Sequence, residues 1–216
     1  MKGKIIWPLI FALVFALSRI PGALSSDFAN FSAAYALAFI AGVYFPRAMA
    51  WWFPLAIFVA TDVALNMFYW LVRGYPVWDL AILKYQFVNY VAYAVIIWLG
   101  RRFKPQSSFQ SLLGGGVLGA ILFYLITNTA SWLFNPFQNP EYTKNFSGWL
   151  IALIKGTGGW PETWQFFRNT LLSGGLFTGL FVAAMKATEE SPADKVAGAR
   201  EDEAPETEGE PEEAKA

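Results

Sequence analysis

The sequence predicts an all-α integral membrane protein with six transmembrane helices, both termini cytoplasmic and a disordered acidic tail. Three observations carry this reading. Of 216 residues, 56% are hydrophobic and 18% aromatic, which is more apolar surface than a soluble domain of this length can bury. The apolar residues are gathered into six runs divided by short segments. The formal charge of zero is also segregated: residues 189–216 hold eleven of the 16 acids and three of the 16 bases, so this stretch stands at −8 and the preceding part at +8.

The expected spans are 5–20, 31–46, 48–70, 79–99, 112–134 and 164–186. Span one follows Lys2 and Lys4. Its basic start and apolar run also fit a signal peptide, but the exit Ser18-Arg19-Ile20-Pro21 has no Ala-x-Ala site. It carries Ala12 and Ala16 one turn apart, a small-residue pair that permits close approach of another helix. With the amino terminus inside, Lys2, Lys4, Arg47, Arg101, Arg102, Lys104 and Lys186 all fall on short cytoplasmic segments. The tryptophans agree, because indole favours the headgroup level. Trp7, Trp51, Trp52 and Trp98 sit at inner ends, and Trp70, Trp78, Trp132, Trp149, Trp160 and Trp164 at outer ends or in outer loops.

Span three contains Asp62, about 21 Å from its inner end at ~1.5 Å per residue and therefore in the outer half. Asn66 lies one turn further out, with Trp70 beyond it. Span four runs inward and presents Gln86, Asn89, Tyr90 and Tyr93 on one face, again in its outer half. Lys84 lies off that face, where a long side chain can snorkel outward. Span five repeats the spacing with Tyr124, Thr127, Asn128 and Ser131, followed by Trp132. Span six opens with Gln165, Arg168, Asn169 and Ser173, and span one ends on Arg19. Five spans thus place polar groups at one depth, which predicts a ligand-filled cavity open to the outside. Arg19 and Arg168 are the expected cations for Asp62.

The outer loop after span five holds a short apolar piece, 149–154, ahead of Gly156, Gly158 and Gly159. It is too short to cross, and is expected to lie on the surface or dip part way in, as an interfacial helix or a lid. Residues 1–187 form the membrane domain. Residues 188–216 have one valine and no aromatic residue, and are expected to form a disordered cytoplasmic tail.

The stretches "SRIPGALSSDFANFSAAYALAFIAGVYF", "PLAIFVATDVALN", "LITNTASWLF" and "FFRNTLLSG" resemble an uncharacterised family of six-span bacterial membrane proteins, over about residues 15–182. In that family's pattern a proline follows Asn-Phe-Ser/Thr, whereas Ala33 stands here. The family is similar in plan to the S components of energy-coupling factor vitamin transporters. That likeness implies an outer-half ligand pocket beneath outer loops. It also implies an Ala-xxx-Ala motif, here Ala12 and Ala16, docking on a transmembrane coupling protein that works with ATPases.

The function expected is therefore a solute-binding subunit of a bacterial inner membrane that takes up a small water-soluble molecule. Its ligand contacts would be Arg19, Asp62, Asn66, Trp70, Gln86, Asn89, Tyr90, Tyr93, Asn128, Trp132, Arg168 and Asn169. Two arginines near one acid favour an anionic or zwitterionic ligand. The alternative is a structural or assembly protein whose polar stripes only pack helices together. No enzyme, metal, cofactor or nucleic-acid partner is expected. The chain has neither histidine nor cysteine, Asp62 has no second membrane acid for aspartyl chemistry, and the bases are scattered singly.

Overall fold

The computed structural model describes residues 3–188, and these are helical with no strand among them. The elements are α1 (Gly3–Ser18), α2 (Ile20–Leu24), α3 (Ala34–Tyr44), α4 (Met49–Arg73), α5 (Leu80–Gly100), α6 (Phe109–Phe134), α7 (Phe146–Ile154) and α8 (Thr163–Ala187). A 3₁₀ turn, Ser26–Phe28, links α2 to α3. Beyond Thr188, the acidic tail expected over 188–216 lies outside the described residues.

Five segments are long and apolar enough to cross a membrane: Ile6–Leu24, α4, α5, α6 and α8. The chain is accordingly a multi-pass membrane protein. The span expected at 31–46 differs, because α3 has 11 residues, or about 16 Å against a hydrocarbon core of ~30 Å. It is bounded by Ser32, whose hydroxyl accepts from the Ala34 N–H at 3.2 Å, and by Pro46, which holds Phe45 extended.

This short helix is the centre of the fold. Residues Ala34 through Val43 are all buried, and α3 packs against α1, α4, α5, α6 and α8. Its small residues allow the enclosure. Where α3 crosses α5, a Cβ on Gly42 would stand 2.3 Å from the Ile97 carbonyl oxygen, and one on Gly100 would stand 2.3 Å from that of Phe39. The two backbones therefore touch, as small residues permit between membrane helices. α6 and α8 pack as tightly: a Cβ on Gly116 would overlap the Thr178 side chain.

α1 and α4 lie at the edge. Both expose ridges of large apolar residues, Leu9, Leu13 and Leu17 on α1 and Val59, Val63 and Met67 on α4. α1 ends at Ser18 because Pro21 has no N–H to give the carbonyl one turn back. The Ser18 hydroxyl uses the break: it donates to the Phe15 carbonyl at 2.7 Å and accepts the Ala33 N–H at 2.8 Å. This ties the start of the central helix to the end of α1.

Candidate functional site

The break after Ser18 leaves Arg19 facing α4. Its Nη1 stands 2.5 Å from Asp62 Oδ1 and donates to Thr61 Oγ1 at 2.8 Å. The second carboxylate oxygen accepts the Tyr90 hydroxyl of α5 at 2.6 Å. Asp62 is only 9% exposed, and both of its oxygens hold strong, charge-assisted partners. This is the one salt bridge among the described residues. One turn outward, the Asn66 and Gln86 amides exchange hydrogen bonds at 3.1 and 2.9 Å. Four residues from α4 and α5 thus form two polar rungs, and Arg19 fastens α1 to the inner one.

One turn inward, the Tyr93 ring lies against Phe58 at 4.3 Å and stacks on Phe123 at 4.9 Å, between α4 and α6. Because α5 and α6 run antiparallel, that stack places Asn89 and Thr127 level with each other, one turn further out. Asn89 is half-buried and makes no hydrogen bond among the described residues. Thr127 donates to the Phe123 carbonyl at 2.9 Å, and Asn128 to that of Tyr124 at 2.9 Å, so two members of the α6 stripe bond back to their own helix.

Arg168 is not a partner of Asp62. It is exposed, reaches Asn169 Oδ1 only at 3.4 Å through Nε and Nη2, and stands 5.9 Å from the Trp164 ring centroid. The α8 register turns it outward, whereas Arg19 is released toward Asp62 by the α1 break. Asn169 is buried and holds the loop after α2, donating to the carbonyls of Asp27 at 2.7 Å and Ala29 at 2.9 Å. Trp70 is 49% exposed in the last turn of α4.

The two alanines of the Ala12–Ala16 pair differ in surroundings. Ala12 lies in the chain's own core beside Phe11 and Phe15. Ala16 helps to wall a 300 Å³ groove with Arg19, Thr61, Ala64 and Leu65. Leu9, Leu13 and Leu17 form the outward side of α1 instead.

α7 is docked along the C-terminal half of α6. Asn145 caps it by accepting the Gly148 N–H at 2.8 Å. The Trp132 indole donates to the Thr143 carbonyl at 2.7 Å, the Trp149 indole to Thr129 at 3.0 Å, and the Tyr124 hydroxyl to the Leu153 carbonyl. Tyr124 lies about 15 Å below the end of α6 at ~1.5 Å per residue, so α7 dips alongside the bundle. Beyond the spans, Gly158 N–H donates to Glu141 Oε1 at 3.0 Å and holds that carboxyl below its usual range.

Sequence reasoning missed Thr61, Ser18 and Tyr35, whose hydroxyl donates to the Asn30 carbonyl at 3.0 Å. The signals for the first two were present in the Ser-Arg-Ile-Pro break and in a hydroxyl beside the membrane acid. No curated protein and no solved structure matches the chain. One family does, with its pattern covering residues 1–196. The chain belongs to DUF6580, a family of unknown function.

Proposed function

We propose that the chain is a membrane-embedded solute-binding subunit that takes up a small water-soluble molecule from the outer side. It would work in a bacterial cytoplasmic membrane, with both termini inside and α3 completing six crossings. The shortness of α3 is no obstacle, because surrounding helices enclose Ala34 through Val43. One observation carries the reading: the outer polar layer divides into two parts. Arg19, Asp62, Asn66, Gln86 and Tyr90 satisfy one another. Among the described residues Asn89 makes no hydrogen bond, and Arg168 is exposed with only long contacts. Arg168 lies beside Asn169, which holds the loop after α2, and Asn89 lies level with Thr127 of α6. A guanidinium and an unused amide suit an anionic or zwitterionic solute.

On this reading Asn89, Arg168, Asn128 and Trp132 lie on the ligand side, and the Asp62 cluster braces it. An energising partner of the S-component kind, a coupling membrane protein with ATPases, would meet α1 through Leu9, Leu13 and Leu17, since Ala12 is enclosed.

The closed Asp62 cluster favours a second reading, a structural or assembly protein held together by these contacts. Native mass spectrometry of the chain purified in mild detergent separates the two. The binding reading expects a retained small molecule that is lost in Asn89→Ala and Arg168→Ala while the unfolding temperature stays unchanged. No retained molecule in any preparation, with Asp62→Ala merely less stable, leaves the structural reading.

A further inference from the structure

Between the outer ends of α5 and α6 lies a groove of 680 Å³, within the ~300–1,000 Å³ typical of small-molecule sites. Ala81, Lys84, Tyr85 and Val88 supply one wall, at the spacing that puts them on one side of α5. Ala130 and Phe134 of α6, with Pro136 after it, supply the other. The groove opens to the side of the bundle: Leu80, Phe87 and Phe134 at its margins are 64%, 65% and 69% exposed. In a protein that crosses a membrane, such a face looks into lipid.

Lys84 is the only charged residue lining the groove, and its ammonium has no ion pair or hydrogen bond among the described residues. The nearest acid in sequence, Asp79, is occupied as the cap of α5 and accepts the Ala81 N–H at 2.7 Å. Lys84 stands four residues below the start of α5, about 6 Å at ~1.5 Å per residue, within reach of the headgroup level for a snorkelling lysine. An apolar slot ending in one unpaired cation at that level matches a lipid with an anionic headgroup, its phosphate at Lys84 and an acyl chain along Val88, Ala130 and Phe134.

We propose that the α5–α6 groove is a binding site for an anionic phospholipid. The proposal stands whether or not the chain carries a solute.

The test is native mass spectrometry of the delipidated full chain in detergent, titrated with phosphatidylglycerol and with phosphatidylcholine of the same acyl chains. Phosphatidylglycerol is expected to bind more tightly. Lys84→Gln is expected to reduce that preference about fivefold, as one lysine near an anionic headgroup contributes. Lys84→Arg is expected to retain it, and free glycerol phosphate to leave the lipid bound. Lys84 is exposed, so neither variant strains the fold. An unchanged preference in Lys84→Gln overturns the proposal. So does displacement of the lipid by glycerol phosphate at equal concentration, because the groove would then contribute nothing.

Discussion

Arg19 and Asp62 meet at 2.5 Å because a proline two residues further on ends the first helix. The break turns the guanidinium from the end of α1 into the side of α4, and a buried carboxylate acquires its cation from a neighbouring element. Few other contacts hold α1 and α4 to each other, so this pair and the Tyr90 bond fasten the edge of the bundle to α5.

Removing one partner therefore costs more than removing both. Asp62→Ala or Arg19→Ala should each destabilise the fold by about 3 kcal/mol, the low end for a buried pair left half-made, since Arg19 keeps some exposure. Arg19→Met with Asp62→Leu should recover most of that loss. Denaturant unfolding of the purified protein measures all three. A double variant as unstable as the worse single one would mean that the pair is a favourable interaction in its own right.

The Asn66–Gln86 rung predicts a smaller and more local effect. A double-mutant cycle to alanine should give a coupling of about 0.6 kcal/mol, and no more than ~1.7, as for other interhelical bonds in membranes. Tyr90→Phe should cost more, about 1.5–3 kcal/mol, because its hydroxyl bonds a charged acceptor. Unfolding midpoints rank the two. The reverse order would show that the inner rung is less strained for partners than its distances imply.

Much of this was legible in the sequence, for reasons that also explain the failures. Expected spans at 48–70, 79–99, 112–134 and 164–186 fall within a few residues of α4, α5, α6 and α8, because long apolar runs end at caps such as Gly74, Asp79 and Ser108. The placing of Asp62 and Asn66 one turn apart on a buried face of α4 followed from the same periodicity. Hydropathy could not show that α3 meets protein on all sides, since an apolar residue leaves water for lipid and for protein alike. The clue lay in its alanines and in Gly42. Nor could one-dimensional spacing choose between two arginines for one acid: both stand near the same depth, and the break at Pro21 decides for Arg19. Ala12 is buried in the chain's own core, and spacing alone could not show this, because a small residue suits a close contact within the chain as well as one between chains.

The α3–α5 crossing predicts a steep response to one methyl group. In Gly100→Ala the new carbon would stand 2.3 Å from the Phe39 carbonyl oxygen, so the helices must separate. The cost should be about 1–3 kcal/mol, the usual penalty for overpacking. Gly114→Ala, on the same class of helix but with open space around it, should stay near neutral or gain slightly. Comparing their unfolding midpoints isolates the crossing from the general effect of losing a glycine.

The segments flanking α7 carry a pH-dependent tie. Gly158 N–H bonds the Glu141 carboxylate and lowers its pKa from the ordinary 4.5. A lowered acid contributes stability above its unfolded value and loses it as pH falls through the lowered one. The Gly158 amide proton shift should therefore follow the Glu141 titration, with its midpoint below the ordinary 4.5. Nuclear magnetic resonance of labelled protein in micelles reads this directly, and Glu141→Gln should abolish the titration. A midpoint at or above 4.5 would show that the bond does not favour the ionised form.

Asn169 predicts which loop opens first. Its amide holds the carbonyls of both Asp27 and Ala29, so Asn169→Ala releases two backbone acceptors at once. Each bond is worth about 0.5–1.5 kcal/mol. The loss should fall mainly on the 25–33 segment, because α3 beyond it stays anchored by Ser18 and by its burial. Hydrogen exchange should quicken about tenfold across 25–33 while α3 and α8 remain protected, in keeping with ~1.4 kcal/mol per decade. Uniform loss of protection through α8 would mean that Asn169 supports the helix and not the loop. A loop that opens alone would mean that Asn169 holds the 25–33 segment and leaves α8 intact.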